Sequence, residues 1–267
     1  MREHLHTLLR FAAQLTEVYF SRRVSRSAAA LAYFLILTVF PILICLSAFA
    51  GRGIGRLTEL AARFLPAGAA ALLEEYLKYV AHRPPGMVAV GVITTVFFAS
   101  AAVRVLMKVT GEIYGGYPLR GWRQIAASVV FSLLLLATIY ASAAAVLTGD
   151  WFFRALLGNP AESLYLWQWG KYLALLGVVF LFIFILYRFT APPRRSRQPV
   201  AAGAAAASAA LAISSAVFGW MVGRSARYSL VYGSLASVIV LLVWLYLCGT
   251  VLILGVGVNF ILYKRKA

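Results

Sequence analysis

The residue types that most often carry out catalysis are few in this chain and lie far apart. There are three histidines, His4, His6 and His82, and two cysteines, Cys45 and Cys248. Neither set has the spacing of a zinc site, and the cysteines do not form a CxxC pair. Both cysteines fall within apolar runs, where a thiol is typically a small apolar side chain. We therefore expect no metal, no other cofactor and no catalytic residue.

The acids and serines give no stronger sign of an enzyme. Glu112, Asp150 and Glu162 fall at or beyond the ends of apolar runs, whereas proton-coupled carriers place acids within them. The phosphate-binding pattern GxxxxGK[ST] is also absent from the sequence. Five serines have no neighbouring base and are expected to bond to a backbone carbonyl one turn back: Ser132, Ser142, Ser208, Ser214 and Ser215.

Basic residues at the edges of apolar runs have a spacing that could bind anions. Arg104 and Lys108 are four residues apart, and Glu112 follows after four more, so all three lie along one helical face. Arg188 closes another apolar run. We expect Arg104 and Arg188 to attract an anionic head group near the cytoplasmic mouth of the protein.

Six apolar runs make up most of the 267 residues. Hydrophobic residues form 63% of the chain and charged residues only 12%, where a soluble domain carries about a quarter. A helix needs about 20 apolar residues to cross a bilayer. The runs are Ser27–Ala50, Gly86–Val105, Gln124–Leu147, Tyr172–Tyr187, Val200–Val222 and Leu235–Leu262. The fourth reaches that length only by including Trp167–Gly170 or the turn around Arg188. The pattern predicts an all-α integral membrane protein with six transmembrane helices.

The distribution of charge predicts the orientation of the chain. If the N-terminus is cytoplasmic, sixteen of the 25 basic residues fall in inner segments and five of the eight acids in outer ones. Short loops rich in Lys and Arg stay in the cytoplasm, so both termini are expected there. Basic clusters beyond helix ends, such as Arg22-Arg23 with Arg26, also meet anionic lipid head groups. The net charge of +17 therefore needs no nucleic-acid partner.

The predicted organisation is one membrane domain over residues 1–267. Residues 1–26 form a cytoplasmic amphipathic segment whose helix either lies on the membrane interface or packs against the bundle. Residues 51–85 form a short extracytoplasmic helical cap. Pro41 bends the first span and is expected to face protein or a water-filled cavity. Small residues fill fifteen of the twenty positions from Val200 to Gly219, which favours close helix packing or leaves room for a substrate path.

Two separated motifs resemble those of the YihY/BrkB family of bacterial inner-membrane proteins. One runs through the first span from Ala28 past Tyr33 to Pro41. The other follows the entry and length of the last span: Tyr232, Gly233, Ser234, Trp244, Tyr246, Gly255 and Asn259. The resemblance covers nearly the whole chain. It implies a multi-pass protein of the bacterial inner (plasma) membrane. It also implies that the old family label "ribonuclease BN" is a misassignment, because that activity belongs to an unrelated soluble zinc hydrolase.

The resemblance suggests a role without establishing a substrate. Some family members are linked to serum resistance or envelope lipid phenotypes, which implies a transporter or facilitator of a lipid-like or anionic envelope component. Pro41, the small face of the fifth span and Tyr246 would then line a cavity. The alternative is a structural or assembly protein of the envelope, in which the motifs serve packing and Ser234 caps the last helix.

The expected partners are membrane lipids, with envelope proteins or a second copy of the chain left open. The family often has an acid two residues after Gly255, whereas this chain has Gly257. A mechanism that depends on that acid therefore does not transfer to this protein.

Overall fold

A computed structural model describes residues 2–50, 85–116, 121–138, 161–190, 200–224 and 235–266. Across these six stretches the secondary structure is entirely helical. The helices are α1 Arg2–Ser21, α2 Val24–Ala50, α3 Pro85–Tyr114, α4 Trp122–Thr138, α5 Ala161–Thr190, α6 Ala201–Arg224 and α7 Leu235–Lys266. The predicted apolar runs fall on these helices, except that residues 139–147 of the third run lie outside the described residues, and the all-α prediction is confirmed for the described part.

Four helices are long and apolar enough to cross a membrane. Their candidate spans are Val24–Ile44 in α2, Ala89–Tyr114 in α3, Ala201–Met221 in α6 and Val238–Arg265 in α7. The apolar stretches of α4 and α5 are shorter, Trp122–Thr138 and Leu175–Thr190. Helix α5 itself has 30 residues and includes both Trp167–Gly170 and Arg188. The count of six spans and the side of the membrane on which the termini lie stay predictions.

Two predicted elements fall outside the described residues. One is the extracytoplasmic cap, of which only Pro85 is described, as the first residue of α3. The other is the entry to the last span, Tyr232, Gly233 and Ser234. Helix α7 begins at Leu235, directly after this entry.

Helix α3 ends where its glycines allow the chain to turn. Gly115 adopts a φ of 74°, and the Gly116 N–H donates to the Gly111 carbonyl at 2.8 Å. This is the Schellman arrangement, which needs a residue in the left-handed conformation after the last helical residue. Glycine meets that need without a Cβ clash. The helix therefore continues ten residues beyond Arg104 and stops at Tyr114.

Helix α7 is the element on which most of the bundle packs. It contacts α1, α2, α3 and α6, while α2 also packs along α3 and α5 along α6. Where α2 reaches α7, a Cβ on Gly249 would lie 3.2 Å from both the Ala28 carbonyl and Leu31 Cδ2. The two helices are therefore in close contact at this point.

The α6–α7 contact is closer still. A Cβ on Gly203 would clash with the carbonyl oxygen of Gly255 and lie 2.5 Å from Asn259 Cγ. On the opposite helix, a Cβ on Gly255 would lie 2.8 Å from Ala207 Cβ. The small residues of α6 thus serve close packing at this crossing, as small residues do between membrane helices.

Helix α1 packs antiparallel to the end of α7. Phe11 lies beneath the guanidinium of Arg265, with 5.5 Å from Arg265 Cζ to the ring centroid. Further along α1, Leu15 and Val18 cover Gly257, whose added Cβ would lie 3.3 and 3.4 Å from them. These contacts support the packing alternative for α1, while its placement at the membrane interface stays a prediction.

The close α6–α7 approach predicts a position-specific effect of one added methyl group. Gly203→Ala should lower the free energy of unfolding by about 1–3 kcal/mol or more, because the clash involves the backbone of α7. Gly219→Ala is the matched control, since open space surrounds Gly219 on the same helix. Thermal unfolding in detergent compares the two. Equal stability of the two variants would contradict the described crossing.

Candidate functional site

Arg104 lies inside the candidate span of α3. That span has 26 residues, which correspond to about 39 Å of helix. The hydrocarbon layer of a bilayer is about 30 Å thick. Wherever such a layer is placed along Ala89–Tyr114, Arg104 lies within it. The apolar run Gly86–Val105 had placed this arginine only at the edge of the span.

The Arg104 guanidinium is fixed through one of its nitrogens. Its Nη1 donates to Ser100 Oγ at 2.9 Å and to Ser128 Oγ of α4 at 3.3 Å. Each serine uses its own proton elsewhere, in bonds of 2.8 Å to the carbonyls of Phe97 and Ile125. The serine lone pairs are therefore available to accept from Arg104. Neither serine is among the candidate residues that the sequence indicates.

The charge of Arg104 is not compensated by the described part of the chain. Within it no carboxylate lies within ion-pair distance of the guanidinium, and Glu112 is two turns further along α3. A guanidinium has five N–H donors, and the two serines accept from Nη1 alone. Nη2 and Nε thus retain donors for an anion. The side chain is half-buried, so a ligand can reach it from the edge of the bundle.

Lys108 lies next to this site on α3, and Arg188 lies on α5, which contacts α4. Lys108 is exposed one turn beyond Arg104, on the same side of α3. Helix α4 contacts α5 one turn after Ser128, where the rings of Phe131 and Phe189 meet edge to face at 4.8 Å. Arg188 precedes Phe189 and is exposed. Arg104 therefore contacts α4 directly, whereas Arg188 is next in sequence to a residue that contacts α4.

The motif residues Gly255 and Asn259 lie together at a junction of three helices. Asn259 is only 1% exposed. Its Oδ1 accepts from the Gly203 N–H at 2.7 Å, and its Nδ2 donates to the Val200 carbonyl at 3.2 Å. Val200 directly precedes α6, and its apolar side chain cannot accept a hydrogen bond from the first turn of that helix. The amide of α7 therefore performs the capping that a Ser or Asn before α6 would normally provide.

Tyr187 of α5 completes this junction. It is fully buried, and its hydroxyl donates to the Leu252 carbonyl of α7 at 2.6 Å. The hydroxyl oxygen occupies the space that a Cβ on Gly255 would need. Gly255 and Asn259 thus act in packing and capping, and Tyr187, which lies outside the two motifs, joins α5 to them.

The other motif residues are dispersed. Tyr246 of α7 shares a hydrogen bond of 2.8 Å with Ser25 at the start of α2. Tyr33 is 58% exposed, while Pro41 and Trp244 are half-buried. Helix α2 continues through Pro41. Where α2 and α6 touch α7, the described contacts are close packing, which supports the packing alternative at those points.

Two of the five serines singled out earlier bond as expected. Ser132 Oγ donates to the Ser128 carbonyl at 2.7 Å, and Ser208 Oγ donates to the Ala204 carbonyl at 2.8 Å. Each bond satisfies a buried hydroxyl within its own helix. Among the described residues, no group of three or more His, Cys, Asp and Glu side chains could hold a metal ion.

Fold and site together define a helical membrane protein with an arginine inside one of its candidate spans. The chain belongs to the family described as "Virulence factor BrkB", whose model matches residues 15–267. This confirms the resemblance found in the motifs. No solved protein structure matches this chain.

Relatives from several bacteria carry two kinds of name. The chain is 28% identical to the ribonuclease-like protein YfkH of Bacillus subtilis (strain 168), covering 96% of both chains. It is 27% identical to a UPF0761 membrane protein of Vibrio atlanticus (strain LGP32), over 91% of this chain and 79% of the relative. A UPF0761 membrane protein of Paraburkholderia xenovorans (strain LB400) is 25% identical, over 94% of this chain but 58% of that relative. The ribonuclease-like name is consistent with the mislabelling that the resemblance implied.

The capping role of Asn259 predicts a local loss of stability. Asn259→Ala leaves the buried Gly203 N–H without its partner, which should cost about 1–3 kcal/mol. Hydrogen exchange should accelerate most in the first turn of α6. Ser25→Ala is the control, because it removes an exposed hydrogen bond and should change stability by less than about 0.5 kcal/mol. Equal effects of both substitutions on unfolding and exchange would show that Asn259 is no cap.

Proposed function

We propose that this protein is a multi-pass protein of the bacterial inner membrane that moves or admits an anionic, lipid-like envelope component. The observation that carries the proposal is that Arg104, inside a candidate span, has no counter-charge among the described residues. A charged side chain within a span costs up to about 2.5–3.5 kcal/mol on insertion scales, the value at the bilayer centre. A charge that is kept within a span despite this insertion cost is best explained if it binds a substrate.

The geometry favours a phosphate-bearing head group as the ligand. Ser100 and Ser128 hold Nη1, so the orientation of the guanidinium plane is fixed before a ligand arrives. The remaining donors on Nη2 and Nε form the edge that pairs with two oxygens of a phosphate or carboxylate. Lys108 adds a second cation one turn away. The acyl chains of such a ligand would remain in the surrounding lipid.

Six crossings with both termini in the cytoplasm fit this proposal. Helices α4 and α5 then join the four candidate spans, and the basic ends of α1 and α7 lie on the cytoplasmic side. The proposal needs no catalytic residue and no cofactor. A ribonuclease activity of this protein would survive extensive repurification and be measurable with added zinc or magnesium. We expect any such activity to be lost on repurification.

A non-transporting envelope assembly protein is the second candidate. The close contacts at Gly203, Gly249 and Gly255 favour it, because a rigid bundle suits a scaffold better than a moving one. On that account, substitution of Arg104 would leave lipid movement unchanged. Crosslinking in native membranes should then recover an envelope protein, and a repeated failure to recover one would count against this candidate.

The transport proposal predicts a specific effect of one neutral substitution. Purified protein in vesicles should speed the movement of a fluorescent phosphatidylglycerol between leaflets. Arg104→Gln should slow this movement about 10–100-fold, because bonds to a charged group contribute about 1.5–3 kcal/mol. The rate of lipid movement with Arg104→Lys should lie between the rates of the unsubstituted protein and of Arg104→Gln, because lysine keeps the charge but loses the paired donors.

Arg123→Gln is the matched control for this experiment. Arg123 is an exposed arginine at the start of α4, with no described contact to the site. Arg188→Gln tests the second predicted head-group contact and should reduce the movement less than Arg104→Gln does. Unchanged movement in both the Arg104 and Arg188 variants, with the proteins folded, would refute the proposal.

A further inference from the structure

Helix α1 has two apolar faces, of which the bundle covers one. Phe11, Leu15 and Val18 face α7. Leu9 lies two residues before Phe11, and Phe20 lies two residues after Val18. Two residues correspond to about 200° around a helix, so Leu9 and Phe20 point to the opposite side. They are 60% and 71% exposed.

Between Leu9 and Phe20 the outer face contains no charged group. Ala13 and Thr16 lie between Leu9 and Phe20 at helical spacing, and both are exposed. Thr16 directs its hydroxyl back to the Ala12 carbonyl at 2.9 Å, so its polar group is satisfied within the helix. The exposed polar residues occupy a separate strip at one flank: Arg10, Gln14, Glu17 and Ser21. The outer face is therefore apolar over three turns.

The chain fixes this face close to the edge of the membrane. Only Arg22 and Arg23 separate α1 from α2, and the candidate span of α2 begins at Val24. Phe20 thus lies within a few residues of the point where the chain enters hydrocarbon. Arg22, Arg23 and Arg26 are all exposed at the same place. Arg23 has a φ of 50°, a left-handed conformation that makes the turn between the two helices abrupt.

We propose that the outer face of α1, defined by Leu9, Ala13, Thr16 and Phe20, is a docking surface for the head-group region of a bilayer that contains anionic lipids. Helix α1 is held by α7 on one side and lies on lipid with the other. Its polar strip faces water, and Arg22, Arg23 and Arg26 pair with lipid phosphates. This inference goes beyond the proposed function and does not depend on Arg104.

Lipid suits this surface better than a protein partner does. A stable protein interface buries about 800 Å² on each side, which exceeds what one face of three helical turns offers. The adjacent arginines complement anionic phosphates, each contributing about 1 kcal/mol near the surface. An apolar face with a charged flank is also the pattern of helices that lie in the membrane interface.

Spin labels on α1 test the proposal directly. Cys45→Ala and Cys248→Ala remove the native thiols, and single cysteines then replace Ala13, Phe20, Arg10 or Glu17 in the full chain. In vesicles of phosphatidylcholine and phosphatidylglycerol, labels at 13 and 20 should be relaxed several times more by oxygen than by an aqueous nickel chelate. Labels at 10 and 17 should show the reverse ratio.

Three outcomes separate the possible occupants of the surface. Relaxation by the nickel chelate at 13 and 20 would place the face in water and overturn the proposal. Protection of both positions from oxygen and nickel would indicate a protein or a second copy of the chain, and would also overturn it. High oxygen relaxation at 13 and 20 with low nickel relaxation supports it.

A second measurement tests the role of the arginines. Spin-labelled phosphatidylglycerol should associate with the protein several times more strongly than phosphatidylcholine does. Replacing Arg22, Arg23 and Arg26 with glutamine should bring this preference close to one. Preserved preference in the triple variant would refute the head-group pairing. Because Arg104 is intact in this variant, lipid movement between leaflets reports on the proposed function separately.

Discussion

In a hydrocarbon layer, a polar group that has no partner within the protein has no water to replace one. The arrangement of α5, α6 and α7 follows from this constraint. Helix α6 begins without a capping side chain of its own, so Asn259 of α7 supplies both a donor and an acceptor. These two hydrogen bonds require the backbones of α6 and α7 to come into contact, and the glycines Gly203 and Gly255 permit this approach. Tyr187 then ties α5 to the same point.

Because polar groups in a hydrocarbon layer need partners within the protein, the few groups that lack one are informative. Among the described residues, Thr95 Oγ1 is the single buried side-chain oxygen or nitrogen without a hydrogen-bond partner. Arg104 has partners for Nη1 but no described partner for its charge. Within the described residues nearly every buried side-chain polar atom has a partner, so a guanidinium without a counter-charge is an exception, and this exception motivates the proposed anion site. The functional proposal therefore rests on contrast with the rest of the bundle.

Much of the fold could be predicted from the sequence, because lipid imposes a minimum length on apolar helices. The six runs, the end of α3 at Gly115 and the amphipathic α1 all depend on local sequence. The site could be predicted only in part. Gly255 and Asn259 stood out by resemblance, but their pairing with Gly203 joins residues about 50 positions apart. Nothing in the local sequence indicates that Ser128 of α4 accepts from Arg104.

Position 257, where the resemblance led us to expect an acid, is occupied by a glycine that packs against α1. At Gly257 the chain has no side chain, and Leu15 and Val18 of α1 cover the space. An acid here would point at two apolar side chains of α1. Gly257 therefore permits α1 to approach α7 closely at this point.

The central claim is that a lipid anion, and not a protein carboxylate, neutralises Arg104. An electron cryo-microscopy map of the protein in nanodiscs containing phosphatidylglycerol tests it most directly. We predict phosphate density within hydrogen-bond distance of the Arg104 guanidinium, on the edge away from Ser100 and Ser128. A carboxylate of the chain itself in contact with that edge would contradict the account.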